Sequence, residues 1–159
     1  MKLSHILLPA IVAVFAACSD HADPKELINK EASLPESFNF NQMGLKVINS
    51  SINQKKSTMS TLYGNDNALN TLKAGTGIQA DEVIALVTWK QKEDKHWFGA
   101  KIPGNLQSLE LIKTIKDKSG MPQITYTRYE GSKLMPIKDT TGNAQSIKYI
   151  FDQKPSVMP

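Results

Sequence analysis

The sequence has few of the residues on which disulfides, metal sites and nucleophilic catalysis depend. Its 159 residues include one cysteine and three histidines. A single cysteine excludes a disulfide within the chain and a zinc site built from several thiolates. His96 is the only histidine beyond residue 21, so Ser–His or Cys–His catalysis lacks a positioned base. The sequence therefore favours a role other than catalysis.

Long hydrophobic runs are also missing. The apolar stretch at 6–15 is shorter than the roughly 20 residues that span a bilayer, but it follows Lys2 and has the length of a secretory h-region. Small residues at 16 and 17 directly precede Cys18, an arrangement that resembles a bacterial lipobox. Residues 1–17 are thus predicted to be a lipoprotein signal peptide and Cys18 the lipidation site; a plain secreted protein is the alternative. Ser19 favours the outer membrane, with the domain facing the periplasm.

The positive charge is modest and dispersed. The formal net charge is +4, and Lys55-Lys56 is the only basic cluster that stands out. A nucleic-acid surface would need massed basic residues with aromatic side chains on one face. The sequence therefore argues against a nucleic-acid partner, and the predicted partner is the membrane, contacted through the lipid anchor.

After the signal peptide, the chain is predicted to contain a tether and one domain. Residues 18–37 are polar, with prolines at 24 and 35, and are predicted to form a lipid-anchored tether with one short helix at 24–32. Residues 38–159 are predicted to form a single domain, a length sufficient for one hydrophobic core.

Within this domain, helices and strands are predicted from caps and alternation. One helix is predicted from Asn65-Asp66 to Gly75, and another after 140–143 through Phe151. Strands are predicted at 57–63, 82–91, 96–102, 108–115 and 124–130, whereas 44–48 fits a strand or a helix end. These elements predict an α+β fold: a small antiparallel β-sheet packed with a few helices.

The stretch ALVTWKQKEDKHWFGAKIPG, residues 85–104, holds both tryptophans and is typical of a β-hairpin. A turn centred on Glu93-Asp94 would place Trp89 opposite Phe98 on one face of the sheet. We therefore predict that Trp89 is a core residue and that Trp97 lies on the wetter face or on a pocket rim.

Two further motifs have structural interpretations. Glu110 and Arg128, the only arginine, are expected to form an ion pair if their strands are neighbours. The glycines at 75 and 77 follow a helix rather than open one, so they are interpreted as a helix C-cap and turn and not as a phosphate-binding loop.

Two motifs together resemble a known family. TMSTLYGNDNAL at 58–69, followed by ALVTWKQKEDKHWFGAKIPG and QSLELIK, is similar to the cytochrome P-460 family, which includes the cytochromes c′-beta. The similarity covers roughly residues 38–130. The resemblance implies a small antiparallel sheet packed with helices, usually dimeric. It also implies a c-type haem attached through a CxxCH motif near the C-terminus, in proteins that oxidise hydroxylamine or bind nitric oxide.

The chain departs from this family where the haem would attach. The segment TTGNAQSIKYIFDQKPSVMP, from residue 140 onward, has neither cysteine nor histidine, so no cofactor is predicted. The predicted function is a ligand- or partner-binding accessory protein, with Tyr63, His96, Trp97 and Phe98 as candidate rim residues of a pocket for a small ligand or an envelope protein. The alternative is non-covalent haem ligated by His96. A homodimer is also expected from the resemblance.

Overall fold

The structure, a computed structural model, describes residues 28–156. Six strands form one antiparallel sheet in chain order: β1 (Lys46–Asn53), β2 (Thr58–Gly64), β3 (Val83–Glu93), β4 (Lys101–Lys116), β5 (Pro122–Glu130) and β6 (Met135–Ile137). Helix α1 (Asp66–Ala74) connects β2 to β3, helix α2 (Asn143–Phe151) follows β6, and a 3-10 turn (Glu36–Phe38) precedes β1. This arrangement is compatible with the predicted α+β class. The predicted signal peptide, Cys18 and the tether up to residue 27 lie outside the described residues.

Helix α1 begins and ends at the predicted caps. The Asn65 side-chain oxygen accepts hydrogen bonds from the Ala68 and Val83 backbone N–H groups, at 3.0 and 3.2 Å, and so ties the start of the helix to β3. Gly75 adopts the left-handed conformation (φ 64°), and its N–H donates to the Thr71 carbonyl. Helix α2 also lies where it was predicted. Neither helix is long and apolar enough to cross a bilayer.

Both faces of the sheet are covered at its centre, where β3 lies. One face, here called the N-terminal face, packs against the segment before β1 through a cluster that includes Phe40, Val87 and Trp89. The other, here called the helical face, packs against α1 and α2 through a cluster that includes Ile84 and Ile150. Because successive side chains of β3 point to opposite faces and both faces are covered, its residues 84–87 are all buried.

The close approach of α1 to the sheet requires glycine at the end of β2. A Cβ atom on Gly64 would lie 2.6 Å from Ile48 Cδ1 and 3.1 Å from Ala68 Cβ. A side chain there would displace the Ile48 methyl group, crowd Ala68 and disturb the packing of the helical face.

The described part of the predicted tether is bound to the sheet. The Ala32 carbonyl accepts a hydrogen bond from the Trp89 indole N–H at 2.8 Å, and the Glu31 carbonyl accepts one from the Leu106 N–H at 3.3 Å. Residues 30–32 form a turn rather than the end of a helix, and Ala32 and Leu34 pack against the core. Residues in the second half of the predicted tether, before Phe38, are therefore part of the folded structure.

The hairpin of β3 and β4 has a longer loop than was predicted. Trp89 pairs with Leu106 and not with Phe98, and Glu93 pairs with Lys101. The segment 94–100, predicted to be mostly strand, is a loop in which the Asp94 carboxylate accepts hydrogen bonds from the backbone N–H groups of residues 96 and 97. Because the Asp94 side chain accepts from these donors, they need no backbone partners on a paired strand. The predicted strands at 96–102 and 108–115 are replaced by the single strand β4.

Candidate functional site

A cleft of about 500 Å³ opens on the helical face beside α2. Five strands, the turn between β1 and β2, and one helix line it. Its members are Ser51, Asn53, Lys56, Thr58 and Ser60 from β1, the turn and β2; Leu86 and Thr88 from β3; Gln107, Ser108 and Glu110 from β4; Arg128 from β5; and Gln145, Ser146 and Tyr149 from α2. The name "cleft" refers to this set below.

A row of hydroxyl groups crosses the floor of the cleft. Ser51, Ser60, Thr88 and Ser108 are successive cross-strand partners from β1 to β4. Cross-strand partners point to the same face of the sheet, so the four hydroxyls lie side by side. The Ser60 and Thr88 oxygens are 3.0 Å apart and hydrogen-bonded. Each hydroxyl can donate one hydrogen bond and accept two, so this row retains unused capacity towards a ligand.

Charged groups lie next to this row. Glu110 and Arg128 are direct cross-strand partners, which confirms that their strands are neighbours. The ion pair that Arg128 makes is with Glu130, however, at 2.6 Å, while Glu110 accepts a hydrogen bond from the Tyr126 hydroxyl at 2.6 Å. The Nε group of Arg128 is buried and has no acceptor among the described residues. The cleft therefore offers both a carboxylate and a guanidinium.

Tyr126 stays neutral beside this charge. Burial, reinforced by the hydrogen bond to the Glu110 carboxylate, raises the pKa of Tyr126 to about 12. At neutral pH the tyrosine is therefore a hydrogen-bond donor that holds the Glu110 side chain in place. The orientation of that carboxylate is fixed before any ligand arrives.

The four candidate rim residues do not come together around this cleft. Tyr63 lies on the N-terminal face, where its ring packs against Phe40 with centroids 4.8 Å apart. His96, Trp97 and Phe98 lie together in the loop 94–100, at the end of the long hairpin. None of the four lines the cleft. Cys18, the predicted lipidation site, lies outside the described residues.

The residues of the cleft do not fit a haem group. Haem proteins use histidine, cysteine, methionine or tyrosine as axial ligands, and among these the cleft contains Tyr149 alone. Its one aliphatic wall residue is Leu86, and the rest of the lining is hydroxyl, amide, charged or phenolic. The alternative ligand, His96, is exposed in the hairpin loop. Among residues 28–156, no group of three or more His, Cys, Asp or Glu side chains could hold a metal ion.

The sequence contained a weak signal for the cleft. In β2 the positions facing the helices are Thr58, Ser60 and Leu62, so the alternation continues while its apolar members change to hydroxyl residues. This change marks where the helices stop covering the sheet. It does not distinguish a cleft from an open solvated face, because the position of α2 is not encoded in the strand.

Comparison with known proteins places the chain in one family. No curated protein matches the sequence. Residues 39–150, which make up more than half of the chain, match the family described as Cytochrome P460. The match includes β1 to β6, α1 and nearly all of α2, and hence every element that lines the cleft. The chain therefore belongs to the Cytochrome P460 family.

Proposed function

We propose that this protein is a lipid-anchored accessory protein of the bacterial envelope whose Cytochrome P460 domain binds a small polar molecule in the cleft. Membership of the family points to a haem-related protein, but the side chains in the cleft are suited to a different ligand. The observation that carries the proposal is the hydroxyl row from Ser51 to Ser108 beside the Glu110 and Arg128 charges.

The chemistry of the lining defines the class of ligand. Hydroxyl and amide groups both donate and accept hydrogen bonds, Glu110 accepts them, and Arg128 donates them. Tyr149, with 49% of its surface exposed, provides an apolar ring at the side of the cleft. A lining made mostly of hydrogen-bonding groups, with one exposed ring at its side, is suited to a small molecule that carries several hydroxyl, amino or carboxylate groups. Sugars, amino acids and hydroxy acids belong to this class, whereas a porphyrin does not.

The anchor determines where this binding takes place. In the proposal, Cys18 carries the lipid and the domain faces the periplasm from the outer membrane. The proposal assigns binding, and no reaction, to the cleft. The protein would therefore retain or present its ligand.

A matched pair of threonine variants tests the cleft. Thr88→Val removes a hydroxyl from the cleft, whereas Thr61→Val removes one from the other face, where Thr61 pairs with Ser50 at the same 3.0 Å distance. The probe is a panel of sugars, amino acids and hydroxy acids added to isotope-labelled protein, followed by nuclear magnetic resonance. For any panel member that binds, Thr88→Val should weaken binding by roughly 2–10-fold, the equivalent of one neutral hydrogen bond.

The positions of the shifted signals decide the outcome. The proposal expects saturable shifts at Gln107, Ser108 and Gln145, with the Thr61→Val protein indistinguishable from the wild type. Equal weakening by both variants, or shifts confined to the N-terminal face, would place binding elsewhere and contradict the proposal.

A further inference from the structure

The loop 94–100 exposes two adjacent aromatic side chains. Trp97 is 72% exposed and Phe98 is fully exposed. Both follow Asp94, whose carboxylate accepts hydrogen bonds from the backbone N–H groups of His96 and Trp97 and so holds the loop in shape. We call Trp97 and Phe98 in this loop the aromatic tip. Exposed aromatic groups held at the end of a rigid hairpin mark an interaction surface.

Lysines surround the aromatic tip. The turn between β1 and β2, which carries Lys55 and Lys56, lies at the same end of the sheet, because Ser57 and Gly99 line one shallow hollow. Among residues 28–156, this end, here called the basic end, holds seven lysines and three carboxylates: Lys30, Lys55, Lys56, Lys90, Lys92, Lys95 and Lys101, with Glu31, Glu93 and Asp94. Two of the lysines are paired, Lys92 with Glu31 and Lys101 with Glu93. The excess charge is positive.

The N-terminal segment leaves the domain at the basic end. Glu31 contacts Leu106, whereas Asn29 donates a hydrogen bond to the Pro103 carbonyl at 2.6 Å, two residues from the start of β4. Towards its N-terminus the chain therefore runs in the direction of the aromatic tip. Ile28, the first described residue, is 61% exposed. Asn29 is eleven residues after Cys18, a distance of at most about 40 Å along an extended chain, so a lipid on Cys18 would keep this end close to the bilayer.

We propose that the aromatic tip inserts into the headgroup region of an anionic phospholipid bilayer, with the surrounding lysines on the lipid phosphates. The proposal rests on the anchoring through Cys18 proposed above. Tryptophan prefers the membrane–water interface, and basic side chains are attracted to anionic lipid surfaces. Anchor and tip together make a two-point attachment that fixes the orientation of the domain. The hairpin then points towards the bilayer.

Fluorescence of the full-length lipidated protein tests the insertion. The protein is reconstituted into vesicles of phosphatidylethanolamine and phosphatidylglycerol that carry bromine in the upper acyl chain, which quenches nearby tryptophan. Trp89 is buried, so the quenched signal should come from Trp97 and disappear in Trp97→Phe. Co-sedimentation with the vesicles reports the anchor separately. Anchored protein with no quenching of Trp97 would overturn the proposal, whereas protein that does not co-sediment would overturn the anchor.

Lysine variants of protein without the lipid anchor test how much the positive charges contribute to vesicle binding. In protein that begins at Ser19, and so has neither the predicted signal peptide nor the lipid, Lys55→Gln/Lys56→Gln should lower the apparent affinity for the anionic vesicles by about fivefold per lysine. The matched control is Lys116→Gln/Lys118→Gln at the opposite end of the hairpin, which should leave the affinity unchanged. Equal losses of affinity in both double variants would show that positive charge anywhere on the domain attracts the vesicles. That result would contradict an orientation set by the aromatic tip. If the protein self-associates without vesicles and this association buries Trp97, the aromatic tip binds a second copy of the chain. That result would overturn the proposal.

Discussion

Replacing Trp89 with alanine is expected to lower the free energy of unfolding by about 3–5 kcal/mol. Trp89 lies in the core of the N-terminal face, and only 7% of its surface is exposed. Its N–H group also donates the 2.8 Å hydrogen bond to the Ala32 carbonyl. The variant therefore leaves a large cavity and frees the segment that covers the face. Denaturant unfolding followed by circular dichroism measures the change.

Trp97 provides the matched control for this substitution. It lies in the same hairpin, but 72% of its surface is exposed, and Trp97→Ala should change the free energy of unfolding by less than about 0.5 kcal/mol. Trp89→Phe separates the two effects in the core, because it keeps most of the ring and removes the N–H donor. A loss below 1 kcal/mol in Trp89→Ala would show that the N-terminal segment does not pack on the sheet as described.

Replacing Glu82 with methionine is expected to raise the free energy of unfolding by about 1–3 kcal/mol. Glu82 is fully buried, and neither of its carboxylate oxygens has a hydrogen-bond partner among the described residues. Its backbone is fixed independently: its N–H donates to the Thr114 hydroxyl and its carbonyl accepts from the Thr114 N–H. Methionine has a similar length without the carboxylate. The variant therefore removes the desolvation cost while keeping the backbone contacts.

Glu36 is the control for the loss of a carboxylate. It is exposed at the 3-10 turn before β1, so Glu36→Met should leave stability within about 0.5 kcal/mol of the wild type. Thermal unfolding of both variants at neutral pH makes the comparison. If Glu82→Met were less stable than the wild type, the carboxylate would have a stabilising partner, and the buried site would need a different explanation.

Much of the fold followed from local signals in the sequence. Asn65 and Gly75 bound α1 because capping depends on a side-chain oxygen at one end and a left-handed glycine at the other. Trp89 was correctly assigned to the core from the alternation in its strand. Glu110 and Arg128 are on neighbouring strands, as their predicted ion pair required, but the ion pair itself was wrong, because Arg128 pairs with Glu130 and Glu110 binds the Tyr126 hydroxyl. The three-residue strand β6 was not predicted, since its residues are exposed and too few to show alternation.

The hairpin register could not be read in the same way. Trp89 pairs with Leu106 because the loop 94–100 adds residues that a tight turn would not contain, and because a bulge between Trp89 and Gln91 shifts the register by one more residue. That loop is held by the Asp94 side chain, whose role depends on backbone geometry rather than on a repeating pattern. The contact between Trp89 and Ala32 also joins residues 57 positions apart. For that reason the sequence did not reveal that Ala32, inside the predicted tether, is bound to the sheet.

The cleft was missed for a related reason. Each strand shows polar residues on one face, as an exposed face would, and the hydroxyl row appears only when Ser51, Ser60, Thr88 and Ser108 are brought into register. Three of the predicted rim residues come from one conspicuous hairpin, and Tyr63 comes from the other motif of the resemblance. The structure assigns those residues to two separate places, Tyr63 to the N-terminal face and the other three to the aromatic tip.

Absorption spectroscopy of the full-length protein titrated with hemin tests the central claim most directly. Because the cleft has a polar lining and His96 lies in the exposed loop, we expect weak, non-saturating binding and no sharp Soret band. The His96→Ala protein should give the same spectrum. A sharp Soret band that saturates at one hemin per chain would contradict the proposal and show that this Cytochrome P460 domain holds haem without covalent attachment.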